Sequence, residues 1–189
     1  AEARFLRALA HFNLNVVFGG VPIVDHVLDQ NEYYTIDRSP MIDVFLFVES
    51  ELREARRELP VSYAADQTGR ATKGAANALL AKTCLFMASH KAYSKYIEWH
   101  GKGFDAENKI AAEDYWEKAK EACEQVMDGT YSLIQGDYTM YDGEKHEYQL
   151  HAFGVLHTLL GNNCEEKIFE VQCQNALSGT GNNYNEGNY

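Results

Sequence analysis

The stretch GRATKGAANALLAKTCLFM, residues 69–87, predicts a turn, a helix cap and then a helix that is buried on more than one side. Gly69 suits the turn because glycine adopts backbone angles that other residues avoid. Thr72 is a good N-cap, since its hydroxyl can accept a hydrogen bond from a free amide of the first turn. Alanines and large apolar residues then cover a wide arc, so that neighbouring helices can approach closely. We therefore predict a central helix over about 72–89 with other segments packed on its two sides.

The first segment of the chain, 1–18, predicts an amphipathic helix that ends at Gly19 and Gly20. Asn15 and the arginines fall outside its predicted apolar face. Residues at spacings of three and four lie on the same face of a helix. That face is formed by Phe5, Leu6, Ala8, Leu9, Phe12 and Val16.

A second helix is predicted over about 40–59, with Ser39 as its cap and Pro40 at its first helical position. Its apolar stripe runs from Met41 to Leu59. The charged residues between positions 49 and 58 occupy the other side. We interpret them as a solvated face with ion pairs along the helix, each worth a few tenths of a kcal/mol.

The second half of the chain predicts one more helix, over about 111–128, with Gly129 as its C-cap glycine. Residues 136–163 are predicted to be irregular. The segment KIFEVQC, about 167–173, alternates apolar and polar side chains, which is typical of a strand.

These elements predict a mainly α fold of helix pairs, the first helix with the second and the central helix with the fourth. Side-by-side pairs of alanine- and aromatic-rich helices are typical of tetratricopeptide-like repeats. We expect tetratricopeptide-like helix pairs with long loops and a short strand, forming a single fragment of one domain over 1–189.

The composition excludes some classes of protein. The net charge of −11 argues against a nucleic-acid or anionic-membrane partner, because both need a basic face. The four cysteines lack CxxC spacing, and Cys84 and Cys123 stand among apolar helix residues. Buried free thiols are therefore favoured over disulfides or a metal site. Both ends of the sequence are interpreted as truncated, since residue 1 already lies within a helical pattern.

Five stretches, in this order, resemble the SusD/RagB family of outer-membrane nutrient-binding lipoproteins of Bacteroidota. They are AEARFLRALAHFNLNVVFGGVPIV (1–24), VFLFVESELREARRELP (44–60), GRATKGAANALLAKTCLF (69–86), YWEKAKEACEQVMDGTYSL (115–133) and NNCEEKIFEVQCQ (162–174). The resemblance implies a SusD-like α-α superhelix and the capture of glycans, or in some members peptides, without catalysis. It also implies a SusC-like TonB-dependent transporter as partner, and a surface-exposed outer-membrane location through a lipid anchor on an N-terminal segment absent from this chain.

Glycan capture requires flat aromatic faces and hydrogen-bonding amides on loops that a rigid scaffold supports. The resemblance places ligand contacts in the loop after the IFEVQ stretch, and a second aromatic loop lies between 93 and 104. These aromatics could alternatively cap the core or meet the transporter. The candidate ligand-binding residues are Asn175, Asn182, Asn183, Tyr184, Asn185 and Tyr189 in the first loop and Tyr96 and Trp99 in the second.

No motif predicts a catalytic site, a metal site or a cofactor. His146 and His151 are five residues apart, whereas the HExxH motif places its histidines four apart. The adjacent pairs Glu113-Asp114 and Glu165-Glu166 cannot oppose each other across a glycosidic bond, so they are interpreted as helix-start or surface charges. The alternatives to a glycan-binding protein are a peptide-binding member of the same family, a tetratricopeptide-type interaction scaffold and a glycan hydrolase.

Overall fold

The computed structural model describes residues 1–93, 114–135, 137–141, 147–151 and 164–169. Its contacts divide the chain into two compact units. The first unit is Ala1–Ser62 with Ala71–Val126, and the second is Tyr63–Arg70 with Met127–Tyr189. The interpretation of the chain as one domain fragment stays a prediction.

The described residues confirm the mainly helical fold class. The helices contain the segments that the apolar periodicity selects, and a 3-10 turn at Ala65–Gln67 precedes the central helix. In chain order, the elements are α1 (Glu2–Phe18), α2 (Glu32–Thr35), α3 (Met41–Glu58), α4 (Lys73–Tyr93), α5 (Tyr115–Glu124), β1 (Asp137–Tyr141) and β2 (Glu147–His151).

The first unit is a stack in which α3 packs against α1 and α4, and α4 packs in turn against α5. Three aromatic rings join α1, α3 and α4 at the centre. The Phe12 ring stands edge-on to Phe86, with centroids 5.4 Å apart, and Phe45 lies 6.2 Å from each. Phe45 is fully buried. The predicted central helix therefore has partners on two sides.

The start of α4 confirms Thr72 as a cap. The Ala75 amide donates a hydrogen bond to Thr72 Oγ1 at 3.1 Å. The Lys73 amide, which the first turn leaves free, donates to the Pro60 carbonyl oxygen at 2.8 Å. Small side chains of α4 are buried at Ala75, Ala76 and Ala81, as close helix packing requires.

The buried face of α1 differs from the predicted one by about one residue. Leu6 and Val16 are exposed, at 54% and 38% of their surface, whereas the polar Asn15 is fully buried. Asn15 Nδ2 donates to the Met41 carbonyl oxygen at 3.0 Å, so a contact with α3 decides which side of α1 faces inward. The buried residues are Phe5, Ala8, His11, Phe12 and Asn15, at the three-and-four spacing that packed helices share.

The predicted serine cap of α3 is wrong. Helix α3 begins at Met41 with Pro40 as its N-cap residue, and no side chain bonds to the free amides there. The Ser39 amide instead donates to the Val21 carbonyl oxygen at 3.1 Å. This backbone pairing draws Ser39 into the connection that follows α1, which leaves Pro40 to start the helix.

The charged side of α3 is not uniformly solvated, contrary to the sequence interpretation. Glu49 and Glu51 are buried, with 7% and 6% of their surface exposed. Glu51 accepts hydrogen bonds from Arg4 and Arg7 of α1, at 2.9 Å for Arg4 Nη1 and Arg7 Nε. Because Glu51 pairs with another helix, the sequence of α3 alone cannot predict its burial.

Glu49 makes the equivalent contacts toward α5. Its carboxylate accepts from Tyr115 Oη at 3.1 Å and from Lys118 Nζ at 3.3 Å. Arg53, one turn further along α3, donates to Glu49 Oε1 at 2.8 and 2.9 Å. The two buried carboxylates therefore tie α3 to α5 and to α1, and Tyr115 is buried as a result.

Both ends of α5 differ from the predicted range of about 111–128: the helix begins at Tyr115 and ends at Glu124, and residues 111–113 lie outside the described residues. Asp114 caps the helix, because its Oδ1 accepts from the Trp116 and Glu117 amides at 3.0 and 3.2 Å. This confirms the helix-start interpretation of that acidic pair for Asp114. Turns follow over residues 125–130, and Gly129 among them has a φ of 96°, in the left-handed region. Gly129 thus serves the turns after the helix rather than its C-cap.

In the second unit, β1 and β2 form an antiparallel hairpin where the sequence predicts irregular structure. The register pairs Asp137 with His151 and Tyr141 with Glu147. The two five-residue segments contain three tyrosines and flank residues 142–146, which include Asp142-Gly143. A connection of three to five residues that contains glycine is a hairpin signal, which the polar composition of the region obscures.

The predicted strand over 167–173 is wrong in its described part, because residues 167–169 are irregular and bent. Residues 170–173 lie outside the described residues. The two residues just before this segment bond to another loop of the unit. Glu165 accepts from the Ser132 amide at 3.1 Å, and Glu166 Oε2 accepts from the Ile134 amide at 2.9 Å.

The cysteines behave as two kinds of thiol. Cys84 is a buried free thiol, as predicted, but Cys123 is free and exposed on α5. Cys164 is also free and half-buried, and Cys173 lies outside the described residues. Burial raises the pKa of Cys84 to about 12.

We expect Cys84 to resist thiol reagents at pH 8 in the folded protein, whereas Cys123 reacts readily. A pKa near 12 leaves roughly one Cys84 thiol in ten thousand as the reactive thiolate at that pH. Mass mapping of labelled peptides after a short exposure checks this, with Cys123→Ser as the control and urea as the condition that exposes Cys84. Rapid labelling of Cys84 without urea would contradict the buried packing of α4.

Candidate functional site

The sequence-predicted ligand residues lie outside the described residues. Tyr96 and Trp99 belong to the segment 94–113, and the others belong to the segment 170–189. They stay predictions. The others are Asn175, Asn182, Asn183, Tyr184, Asn185 and Tyr189.

The described residues present a different aromatic surface, on the connection between α1 and α3. Tyr33 and Tyr34 lie on the short helix α2 and are exposed by 69% and 78%. Their rings are perpendicular, at an interplanar angle of 88° with centroids 5.3 Å apart. We call residues 25–38 the aromatic loop. Its signal in the sequence is the adjacent tyrosine pair in a polar segment, which no motif marks as a site.

The start of the aromatic loop is tied to α1 by His11 and Arg7. The Val24 amide donates to His11 Nε2 at 3.1 Å, and His11 Nδ1 lies 2.9 Å from the Arg7 carbonyl oxygen. Since Nε2 accepts, the proton of a neutral imidazole is on Nδ1, which donates to that carbonyl. Arg7 Nη1 donates to the Asp25 carbonyl oxygen at 2.5 Å. Arg7 also holds Glu51, so the loop and the helix stack share one side chain.

The end of the aromatic loop is tied to the C-terminus of α1 by Arg38. Arg38 Nε and Nη2 donate to the Gly20 carbonyl oxygen at 2.9 and 2.7 Å. Arg38 Nη2 also donates to the Phe18 carbonyl oxygen at 2.7 Å. A guanidinium is favourable at this position because the free carbonyls at the end of a helix carry partial negative charge.

The interior of the loop is organised by exposed charged groups. Asp29 Oδ1 accepts from the Asn31 and Glu32 amides at 2.7 and 2.9 Å, and Glu32 Oε2 accepts from the Asp29 amide at 2.9 Å. These reciprocal bonds lower the pKa of Asp29, mainly through the Glu32 amide, and that of Glu32, mainly through the Asp29 amide. The four-residue helix that carries both tyrosines therefore has a local framework.

His26 lies between two carboxylates of this framework. His26 Nδ1 is 2.6 Å from Asp25 Oδ1, and Nε2 is 3.3 Å from Glu32 Oε1. The hydrogen bond to Asp25, followed by the one to Glu32, raises the pKa of His26, and the His26 contact lowers the pKa of Asp25. Within the part of the chain that the structure describes, no group of three or more His, Cys, Asp or Glu side chains could hold a metal ion.

We expect His26 to titrate above its ordinary pKa, which is about 6.5. Because the folded value is raised, its contribution to the loop is fully present below about pH 6.5 and is lost as the pH rises through the folded pKa. An NMR titration of the His26 ring protons measures the shift, and Asp25→Asn is expected to lower it. A titration midpoint at or below about 6.5 in the parent protein would contradict this geometry.

Known proteins match this chain in the region of the same helices. Residues 1–85 match the model of a SusD-like family described as starch-binding and associating with the outer membrane. A solved SusD-like protein from Bacteroides fragilis is 27% identical, with a TM-score of 0.65, and the match covers 93% of this chain and 27% of that one. Both findings support membership of the SusD-like family. A search of curated proteins finds no match.

Two further solved structures resemble this chain. A SusD-like carbohydrate-binding protein from Bacteroides fragilis is 28% identical, with a TM-score of 0.53 over 70% of this chain and 21% of that one. A laminarin-binding SusD-like protein is 26% identical, with a TM-score of 0.51 over 71% of this chain and 23% of that one. The chain therefore spans about a quarter of the length of the structures it matches.

The region matched by the family model contains α1, the aromatic loop, α3 and the first part of α4. It therefore contains the Glu51 contacts and every anchor of the aromatic loop. Among the helices of the described residues, none is long and apolar enough to cross a lipid bilayer.

Proposed function

We propose that this SusD-like protein captures a glycan at the cell surface and releases it unchanged. The observation that carries the proposal is the match of residues 1–85 to a family described as starch-binding. A laminarin-binding relative with the same helical scaffold supports it. We extend the proposal to ligand contacts from Tyr96, Trp99 and the asparagine- and tyrosine-rich segment after residue 174.

The proposed capture serves uptake. The protein would stand at the outer membrane, attached by a lipid on an N-terminal segment, and would deliver its glycan to a SusC-like TonB-dependent transporter. The support is the family description, which associates these proteins with the outer membrane, and the resemblance of five ordered sequence stretches. A pull-down of the transporter with the protein from detergent-solubilised outer membranes tests this partner.

Binding without turnover is the chemical part of the proposal. A glycosidase needs two carboxyl groups that oppose each other across a bond, one of them protonated as an acid. The two buried carboxylates of α3 face different helices, since Glu49 contacts α5 and Glu51 contacts α1. Each carboxylate is held by arginine or lysine side chains within the helix stack, which gives both of them a structural role.

Affinity electrophoresis of the full-length protein in gels containing starch or laminarin tests the proposal, with a parallel assay for released reducing sugar. Retardation by a glycan without sugar release is the expected result, and a reference protein with no glycan affinity controls for gel sieving. Retardation with sugar release would assign a hydrolase instead. An unchanged mobility in every glycan gel would reject glycan capture and direct the search to peptide ligands.

A further inference from the structure

We infer that Tyr33 and Tyr34 form a contact surface for a neutral glycan, presented by the aromatic loop. The inference rests on the proposed glycan-binding function and assigns it a site. The two rings are among the most exposed aromatic side chains of the described residues, at 69% and 78%. Exposed aromatic groups that lie together on an anchored loop are a typical signal of a binding surface.

The geometry of the ring pair suits a sugar. The rings meet at 88° with centroids 5.3 Å apart, so they form a corner with faces in two directions. The C–H face of a pyranose packs on a flat aromatic face, and each tyrosine keeps a hydroxyl for hydrogen bonds. Since the rings also contact each other edge to face, each one limits the rotation of the other.

The attachment of the loop lowers the entropy cost of binding. Val24 and Asp25 are held by His11 and Arg7 at the start, and Arg38 holds the end of α1 through three hydrogen bonds. Inside the loop, Asp29 and Glu32 exchange hydrogen bonds through their backbone amides. A surface that is ordered before the ligand arrives loses less freedom on binding.

The charges of the loop select the ligand class. Asp25, Asp29, Glu32 and Asp37 bring four acidic groups into residues 25–38, and the cationic partners there are already engaged. His26 lies between Asp25 and Glu32, and Arg38 is bonded to backbone oxygens. The exposed carboxylates can accept hydrogen bonds from sugar hydroxyls but repel acidic polysaccharides. The surface therefore fits a neutral glycan such as a glucan.

The test compares three variants of the full-length protein by affinity electrophoresis in laminarin and in starch. Tyr33→Ala/Tyr34→Ala is expected to weaken binding at least about tenfold, which corresponds to about 1.4 kcal/mol. Tyr33→Phe/Tyr34→Phe keeps both ring faces and is expected to remain within about threefold of the parent, about 0.65 kcal/mol. Trp116→Ala, which removes an aromatic side chain of α5 that is 53% exposed, is the matched control and is expected to bind as the parent does.

The outcomes separate the inference from the proposed function. If the parent is retarded and the double alanine variant is retarded equally, the inference falls and glycan capture by other residues stands. If the double alanine variant binds glycan normally but no longer retains the transporter in a pull-down, the surface belongs to a protein interface and the inference also falls. If the parent is retarded by neither glycan, both ideas are rejected. Equal thermal unfolding of all variants checks that a loss of binding is local.

Discussion

Replacement of Gly20 by alanine is expected to destabilise the protein by about 3 kcal/mol. Gly20 has a φ of 128°, which side-chain-bearing residues rarely adopt. A Cβ there would lie 2.8 Å from the Ser39 carbonyl oxygen and 3.2 Å from the Met41 amide nitrogen. Both neighbours are backbone atoms at the start of α3, so relief of the clash requires movement of the chain. Urea unfolding, followed by circular dichroism, measures the change.

The adjacent Gly19 provides the matched control for Gly20. Gly19 is the left-handed C-cap of α1 with a φ of 70°, and an added Cβ would meet no atom within 4 Å. Gly19→Ala is therefore expected to cost about 1 kcal/mol, from backbone conformation alone. Equal losses for the two variants would mean that the close approach of Gly20 to Ser39 does not determine stability.

Replacement of Glu49 by alanine is expected to lower the free energy of unfolding by about 2–3 kcal/mol. The change removes the acceptor of the buried Tyr115 hydroxyl and the partner of Arg53 and Lys118. Both cations retain partial exposure, 35% for Arg53 and 24% for Lys118, so water compensates part of the loss. The expected value is accordingly below that of a fully buried ion pair.

Glu54 on the same helix is the control for Glu49. It is 47% exposed and pairs with Arg57, which is 68% exposed, within α3. Exposed pairs of this kind contribute little, so Glu54→Ala is expected to change stability by no more than about 0.5 kcal/mol. Glu49→Gln adds a second measurement, because it keeps the side-chain volume and an acceptor for Tyr115. Losses of similar size for Glu49→Ala and Glu54→Ala would show that burial does not distinguish the two carboxylates.

Helix α4 shows how far local sequence signals reach. The signals that predict this helix and its cap act within one or two helical turns. They are Thr72, the alanines that follow it and the large apolar residues after them. The same holds for Gly19 at the end of α1. Asp114 also acts locally, because its side chain bonds to amides two and three residues away, but the predicted start at about residue 111 placed it inside the helix.

The positions that were predicted wrongly from the sequence have hydrogen-bond partners that are distant along the chain. Glu51 pairs with residues 44 and 47 positions away, and Glu49 pairs with residues 66 and 69 positions away. Asn15 is buried because it bonds to Met41, and Ser39 leaves its cap position because its amide bonds to Val21. A periodic pattern of charges along α3 contains no information about which charge meets another helix.

The candidate site shows the same difference between local signals and contacts that are distant in sequence. The sequence predicted aromatic and amide residues on loops, and those segments lie outside the described residues. The tyrosine pair of the aromatic loop is visible in the sequence, but the anchoring of the loop is not. The anchors His11, Arg7 and Arg38 are distant along the chain from the tyrosines or from the groups to which they bond. Only the folded chain places them around one surface.

The sequence by itself determined that this chain forms amphipathic helices, where α1 ends and how α4 is capped, and that it resembles the SusD-like family. Those properties depend on spacings of three and four residues and on caps within one turn, which are interactions between neighbours. The tertiary structure decided the burial of Glu49, Glu51 and Asn15 and the presentation of Tyr33 and Tyr34. These depend on groups that come together only when α1, α3 and α5 pack, since burial and pairing of a polar side chain require a partner from another helix.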